Sequence, residues 1–405
     1  MKARVLIYYA AFSLPGTLVY QSATAQTTET PYFKDVTASA LPADPEAHIL
    51  DVVLADVSAD GHLDAVLALE GRPNRLYIND GKGVFSWKKG VFADKNHDTE
   101  HVRLGDFNGD GHLDGIFVAE DDHNSEYYLG NSDGTFTDVS DRLPALSEGN
   151  GLDIGDVNGD GLPDIVVGNT GADAKNFLWL NDPVRPGHFK ANAGGVLSEL
   201  PAQTQSVKLA DLDGNGALDV VFGNEVPPNR LMFNNGKGNF SEREGALDLP
   251  VPLHTREVIV FDANGDKHPD ILFANLTSNA GKYEKDPNAR LLINDGKGRF
   301  KDETALRLPK QEYSTYAGAV VDFNRDGHPD IIFSAVRIPS FAPMQVQALQ
   351  NDGKGKFNLA TAEVIPGSTI GRSWGIAVGD VNGDGIADLF IGQWGTQARL
   401  LLGKR

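Results

Sequence analysis

Short apolar runs recur along the chain, each three to five residues long and bounded by Gly, Asp or Asn, which is the texture of β-strands and turns. One run, His101-Val102-Arg103-Leu104, enters an acidic stretch at Asp106, and a denser run, Ile116-Phe117-Val118, leaves it. A third run follows after a variable stretch, as in Arg75-Leu76-Tyr77-Ile78 or Arg290-Leu291-Leu292-Ile293. Then comes a tight turn, Asn79-Asp80-Gly81-Lys82-Gly83 or Asn294-Asp295-Gly296-Lys297-Gly298, whose Asp-Gly step marks a hairpin because Gly tolerates positive φ. A fourth run opens with Phe85, Phe136, Phe189, Phe240, Phe300 or Phe357.

The acidic stretch sets the period. Asp-x-(Asn/Asp/Ser)-x-(Asp/Asn)-(Gly)-x-x-Asp begins at Asp56, Asp106, Asp156, Asp211, Asp262, Asp322 and Asp380, a mean spacing of about 54 residues. Seven repeats of four antiparallel strands predict an all-β chain folded as a seven-bladed β-propeller. The seventh repeat stops at its third strand, Arg399-Leu400-Leu401-Leu402. The missing strand is expected from the other end, because Phe33-Lys34-Asp35-Val36-Thr37 matches Phe136-Thr137-Asp138-Val139-Ser140 and Phe300-Lys301-Asp302-Glu303-Thr304. Completing the last blade in this way ties the ring shut and hides two sheet edges.

Hard oxygen donors at positions 1, 3, 5 and 9 of the acidic stretch converge on one centre, and Gly at position 6 permits the sharp turn. All-oxygen donors select calcium over zinc or copper, so up to seven calcium ions are expected. The full-form loops are Asp106, Asn108, Asp110 and Asp114; Asp156, Asn158, Asp160 and Asp164; and Asp380, Asn382, Asp384 and Asp388. Close variants are Asp211, Asp213, Asn215 and Asp219, and Asp322, Asn324, Asp326 and Asp330. The loop of Asp56, Ser58, Asp60 and Asp64 has a poorer third ligand, and that of Asp262, Asn264, Asp266 and Asp270 carries Lys267 in the glycine position, so these two are expected to bind most weakly. An EF-hand is excluded: it needs a bidentate Glu at position 12, where this chain has Leu67, Phe117, Val167, Phe222, Phe273, Phe333 and Ile391.

Composition narrows the function. The 405 residues include no Cys, which removes disulfides, Cys-ligated zinc and Cys nucleophiles. A formal net charge of -20 disfavours nucleic acid, although seven calcium ions would neutralise much of it. The N-terminus reads as an export signal over residues 1–25: Met1-Lys2-Ala3-Arg4 is basic, Val5 to Tyr20 is mostly apolar, and Ala23-Thr24-Ala25 precedes Gln26 as a cleavage pattern. No later run is long enough to span a bilayer, so residues 26–405 are expected to be a secreted or periplasmic monomer.

The repeated Asp loops with their short strands resemble the FG-GAP/VCBS repeat family, which includes the integrin alpha-subunit propellers. The resemblance covers residues 33 to 405 and implies a propeller with calcium loops, whereas its members span adhesion modules, lectins and polysaccharide-cleaving domains. Loop lengths vary on the side away from the acidic loops, notably Asn275 to Ala289 and Val336 to Gln345, and recognition is expected there. His48, Glu100, His101, Glu120, Glu225, Arg256, Tyr316, Arg372, Trp374 and Trp394 fall near that rim, with the two Trp as sugar-stacking platforms and His101 beside Glu100 and Glu120 as an acid/base pair or metal site. The expected role is a binding module for an extracellular or periplasmic glycan or protein. The alternatives are a calcium-dependent polysaccharide lyase or glycoside-cleaving enzyme, and a structural scaffold of an envelope assembly.

Overall fold

The computed structural model describes residues 31–404, apart from 121–122, 145–146, 171–174, 193–196, 198–202, 227, 250–252, 277–287 and 338–341. The export signal therefore lies outside the described residues, as do most of the Asn275 to Ala289 loop and part of the Val336 to Gln345 loop. The fold is all-β and propeller-like. Each acidic loop joins the first two strands of a four-stranded antiparallel unit, and the units are named here by the first Asp of that loop. In the Asp106 unit the strands are His97–Gly105, Asp114–Ala119, Glu126–Gly130 and Phe136–Asp138, paired in that order. In the Asp211 unit they are Gln203–Ala210, Asp219–Val226, Arg230–Asn234 and Phe240–Glu242.

The Asp380 unit draws its fourth strand from the start of the chain. Lys34 pairs with Leu402 and Asp35 with Leu401, antiparallel, beside the run Ser373–Gly379, Asp388–Gln393 and Arg399–Leu402. Phe33 buries its ring with Val321, Phe323 and Leu401, so one aromatic side chain fixes the entry of this strand.

Second strands read as unbroken apolar runs because both of their faces are covered. In Asp64–Arg72, Ala65, Leu67 and Leu69 pack with Val381, Phe390 and Leu400 of the Asp380 unit, while the alternate residues Val66 and Ala68 pack with Val102, Phe117 and Tyr128 of the Asp106 unit. The same sharing joins the Asp106 to the Asp156 unit through Phe107, Ile165 and Trp179, and the Asp262 to the Asp322 unit through Leu272, Phe333 and Phe357. First strands lie innermost: Ile49–Ala55 packs beside both His97–Gly105 and Ser373–Gly379, the first strands of its neighbours. Each fully buried Leu, Val or Phe contributes on the order of 1.5–3 kcal/mol.

Polar links run between units near the acidic loops. At the end of the third strand, Asn79 donates its side-chain amide to the Val381 carbonyl, Asn181 to Phe107, Asn234 to Val157, Asn294 to Leu212 and Asn351 to Ala263. Each acceptor is the second loop residue of the preceding unit. Gly130 and Gly403 stand where the other units have this Asn.

The acidic loops are left-handed at two positions. Position 6 has positive φ in every loop, from Gly61 at 89° to Lys267 at 72°, and position 4 does too, including Ala59 at 57° and Arg325 at 58°. A side chain in this region costs about 1–2 kcal/mol. Lys267→Gly is therefore expected to raise unfolding stability by roughly 1 kcal/mol, read as a higher urea midpoint at unchanged slope; no gain would show that Lys267 makes a compensating contact.

Candidate functional site

Each first strand carries a register shift at the same place. The shift falls between Ile49/Asp51, Thr99/His101, Gly149/Gly151, Thr204/Ser206, Thr255/Glu257, Thr315/Gly318 and Ser373/Ile376. A bulge takes one residue out of the pleat and re-aims its side chain. The bulged positions, six residues before the first Asp of each loop, are Leu50, Glu100, Asn150, Gln205, Arg256, Tyr316 and Trp374. All except Leu50 line one cleft of about 510 Å³. The rest of the wall comes from the far ends of second strands, Glu70, Glu120, Leu276, Val336 and Trp394, and from Asp98 and Arg372 just before the bulges.

The cleft and the acidic loops occupy opposite ends of the same strand pairs. From Asp98 the first strand runs to Gly105 before Asp106, roughly 20 Å at the usual rise per residue.

One wall is aromatic. Tyr316 and Trp374 stack with centroids 3.8 Å apart, and the Arg256 guanidinium lies 5.9 and 5.7 Å from those two rings. Trp394 stacks on His48 at 4.5 Å, donates Nε1–H to Glu70 Oε2 at 2.5 Å, and has Arg372 over its face at 5.4 Å. Both Trp are half-buried, so each packs and still faces the cleft. The other wall is acidic: carboxylate oxygens of Asp98, Glu100 and Glu120 lie within 4.8 Å of one another. Arg256 bridges the walls, donating to Glu100 Oε2 at 2.6 Å and to Asn150 Oδ1 at 2.9 Å. Burial pushes the Glu100 carboxyl up to about 8, with Arg256 opposing and Glu120 and Asp98 reinforcing the rise.

His101 is not on this wall. It sits one residue deeper, at a 30 Å³ cavity, with Nδ1 3.1 Å from Asp51 Oδ2. Arg103 donates to the same oxygen at 2.7 Å and reaches Asp153 at 3.6 Å. Against the upward pull of burial, Arg103 and His101 hold the Asp51 carboxyl down at about 2. The set read from the sequence thus divides between two cavities: His101 lines the small one with Glu100, and Glu120 lines the cleft with Glu100. Glu225 accepts from Gln205 Nε2 at 3.0 Å beside the cleft.

In the acidic loops, the position-9 carboxylates Asp64, Asp114, Asp164, Asp219, Asp270, Asp330 and Asp388 are fully buried. Each accepts two backbone N–H groups: Asp114 takes those of Phe107 and Gly130, and Asp164 those of Val157 and Asn181. First-position carboxylates accept from positions 5 and 6, as Asp106 does from Asp110 and Gly111, Asp322 from Asp326 and Gly327, and Asp380 from Asp384 and Gly385.

Positions 3 and 5 are more open, and most of their side chains turn to each other and to the loop backbone. Asn108, Asn158, Asn264 and Asn324 are half-buried and donate Nδ2 to Oδ2 of the exposed Asp110, Asp160, Asp266 and Asp326, at 2.8, 3.0, 2.9 and 2.8 Å. Asn382 accepts the Asp384 amide at 2.9 Å. Oδ1 of Asp60, Asp110, Asp160, Asp266, Asp326 and Asp384 caps the position-7 amide of its own loop. Asn215 caps Ala217 in the same way at 2.7 Å and donates Nδ2 to the Asn234 carbonyl at 3.1 Å. Ser58 donates its amide to Asp64 Oδ2 at 3.1 Å, and its hydroxyl is buried without a hydrogen-bond partner.

The convergence expected of every loop is therefore uneven. Among the described residues, only the Asp211 loop gathers three carboxylates: Asp211, Asp213 and Asp219 bring oxygens within 4.8 Å of one another, a set that suits a hard cation, although Arg243 also pairs with Asp213 at 3.0 Å. The reason is the place of the third acid. Asp213 stands at position 3, whereas the other six loops carry it at position 5, as Asp60, Asp110, Asp160, Asp266, Asp326 or Asp384, where the position-7 amide holds it. Those loops offer Ser58, Asn108, Asn158, Asn264, Asn324 or Asn382 at position 3 instead.

The FG-GAP-like repeat family matches residues 56–114, 116–167, 156–222, 211–273, 274–333 and 337–391, which is most of the chain. The chain belongs to this family. Human cartilage acidic protein 1 is 24% identical over 92% of the chain, and the chain spans 60% of that protein. The same protein from Xenopus tropicalis is 28% identical over 47% of the chain and 29% of its own length. Among solved structures, BBS1N from its complex with ARL6DN covers 93% of this FG-GAP chain with a TM-score of 0.56 at 9% identity. The exotype rhamnogalacturonan lyase YesX covers 92% of it, and 74% of the lyase, with a TM-score of 0.50 at 12% identity. These likenesses speak to fold. No helix among the described residues is long and apolar enough to cross a membrane.

Glu70, Asp98, Asn150 and Gln205 line the cleft without having been singled out from the sequence, whereas Leu276 and Val336 fall in the two long loops where recognition was expected. Their signal is positional: eight or six residues before, or fourteen after, the first Asp of each loop.

Proposed function

We propose that the chain is an exported, calcium-binding seven-bladed β-propeller that acts as a binding module, taking a glycan strand in the cleft opposite its calcium loops. The supporting observation is that six repeats each send their bulged side chain into one cleft, which pairs stacked aromatics with charged and amide groups. Indole and phenol faces suit the apolar faces of sugar rings, and Arg256, Asn150 and the carboxylates offer partners for hydroxyls. The seven-blade reading is supported by the seven loops and by hydrophobic clusters shared between successive units, the last with the first. Calcium follows from the oxygen donors of the loops, whose position-3 and position-5 side chains would exchange their mutual hydrogen bonds for the ion. A protein ligand presenting an extended segment is the other occupant of the same cleft.

Trp374→Ala is expected to weaken glycan binding about tenfold or more, since an aromatic contact contributes on the order of 1 kcal/mol or more and about 1.4 kcal/mol is a factor of ten. The measurement is a glycan array followed by titration of the best binder, with product analysis after incubation. Retention without cleavage supports the module. New reducing or unsaturated ends would replace it with a polysaccharide-cleaving role, and a Trp374 variant that binds as tightly per folded molecule would remove the cleft from recognition.

A further inference from the structure

We propose that Asp98, Glu100 and Glu120 hold a hard divalent cation of the calcium type within the cleft, separate from the acidic loops, and that its open side receives oxygen atoms of the cleft ligand. The second half rests on reading the cleft as a ligand site; the first does not.

Oxygens bound to one calcium ion at about 2.3–2.6 Å lie at most about 5 Å apart, and the three carboxylates already meet that limit at 4.8 Å. Their placement is fixed by backbone pairing and by two groups outside the cluster. The Glu120 amide donates to the Asp98 carbonyl at 3.0 Å, Thr170 Oγ1 donates to Glu120 Oε1 at 2.7 Å, and Glu100 is held through Oε2 by Arg256. The set is all oxygen, the donor type that a hard divalent ion takes.

A second observation points to a ligand in the same cleft. Gln205 is 2% exposed and lines the cleft, with Nε2 committed to Glu225 and Oε1 without a hydrogen-bond partner. Asn150 is 1% exposed and lines it too, with Oδ1 committed to Arg256 and Nδ2 without a partner. Buried polar atoms are rarely left unmatched, since each costs on the order of 1–3 kcal/mol. A neutral amide oxygen suits a hard cation or its bound water, and an amide N–H₂ suits an oxygen of a ligand that the cation holds. Sugars with vicinal hydroxyls or a carboxylate present such oxygens in pairs, so the ligand class is a polyhydroxylated or uronate-bearing glycan.

The test counts calcium. Full-length protein, Glu120→Gln and Asp98→Asn are dialysed to equilibrium against calcium at several concentrations and their metal content measured, with circular dichroism confirming the fold of each. Each folded variant is expected to lose one equivalent and keep the remainder. Asp106→Asn, in an acidic loop, should lose a different equivalent, so that Glu120→Gln combined with Asp106→Asn loses two. Unchanged content in either folded cleft variant overturns the cation. Glycan retention is measured separately and should fall at least tenfold in Glu120→Gln. A lost equivalent with full glycan retention keeps the cation and overturns its contact with the ligand, whereas wild-type protein that shows the extra equivalent but retains no glycan overturns the binding reading alone.

Discussion

Stripping calcium with a chelator is expected to lower the melting temperature by about 10 °C or more, and added calcium should restore it more fully than magnesium. A ligand that binds only the folded state at a hundred times its Kd contributes about 2.7 kcal/mol per site, and about 1 kcal/mol moves the midpoint by roughly 2–4 °C in a domain of 150–250 residues. The chain has seven loops, so partial occupancy suffices. In each loop the donors crowd one turn: Asp106, Asn108 and Asp110 share hydrogen bonds within five residues, above the buried carboxylate of Asp114. Magnesium demands a tighter octahedron and sheds water reluctantly, so it fits such loops less well. Loops at Asp56 and Asp262 should empty first as calcium falls. Calorimetry of apo and calcium-loaded protein decides the matter, and identical melting temperatures would sink the calcium assignment.

Deleting residues 31–38 is expected to cause aggregation or a loss of several kcal/mol of stability. The segment covers the edge of Arg399–Leu402 by pairing through Lys34 and Asp35, and the Leu400 amide also donates to Thr37 Oγ1 at 3.0 Å. It is tied on its other side, where Tyr32 and Phe33 donate to the Glu363 and Val364 carbonyls at 2.9 and 3.0 Å. Phe33→Ala alone should cost about 3–5 kcal/mol, the usual cost of emptying a buried aromatic site, because its ring is 1% exposed. Val184→Ala, at a side chain 85% exposed, is the control and should change little. Urea unfolding of the three variants checks this, and a deletion as stable as the control would refute the idea that the N-terminal strand secures the fold.

Much of the fold was legible because the repeat writes its own punctuation. The Asp loops, the Asp-Gly turns and the fourth-strand Phe mark three fixed points per unit, and Phe33 gave away the displaced strand. The left-handed residues at position 4 were not legible, because Ala59 and Arg325 hide a site that Gly fills elsewhere. Nor was the difference between Asp213 and its counterparts, since a shared spacing treats an acid at position 3 and one at position 5 as equals. The cleft was half legible. Trp374, Trp394, Tyr316, Arg256 and Arg372 stand out by type, whereas Asn150 and Gln205 look like ordinary polar strand residues. No motif links Leu50, Glu100, Asn150, Gln205, Arg256, Tyr316 and Trp374, since each contributes a different chemistry. Alternation also misleads here: the bulge breaks the period of two, and a count from the neighbouring apolar residues places His101, not Glu100, toward the cleft.

Where Gly130 and Gly403 replace the clamping Asn, the joint is made at the other end of the strands. The Asp56 and Asp106 units are stitched by Glu70 pairing with Asp98 and Arg72 with His97, so that their strands form one continuous sheet. The Asp322 and Asp380 units are stitched by reciprocal backbone bonds between Met344 and Gly371, at 2.9 and 3.2 Å. Modules of this ring are thus not interchangeable, despite their common grammar. A chimera that transplants the Asp156 unit into the place of the Asp106 unit would bring an Asn for which the new neighbour has built no need, and would lose the sheet that carries Glu70 and Asp98 to the cleft. The parts share one pattern, but each seam is fitted to its own pair of neighbours.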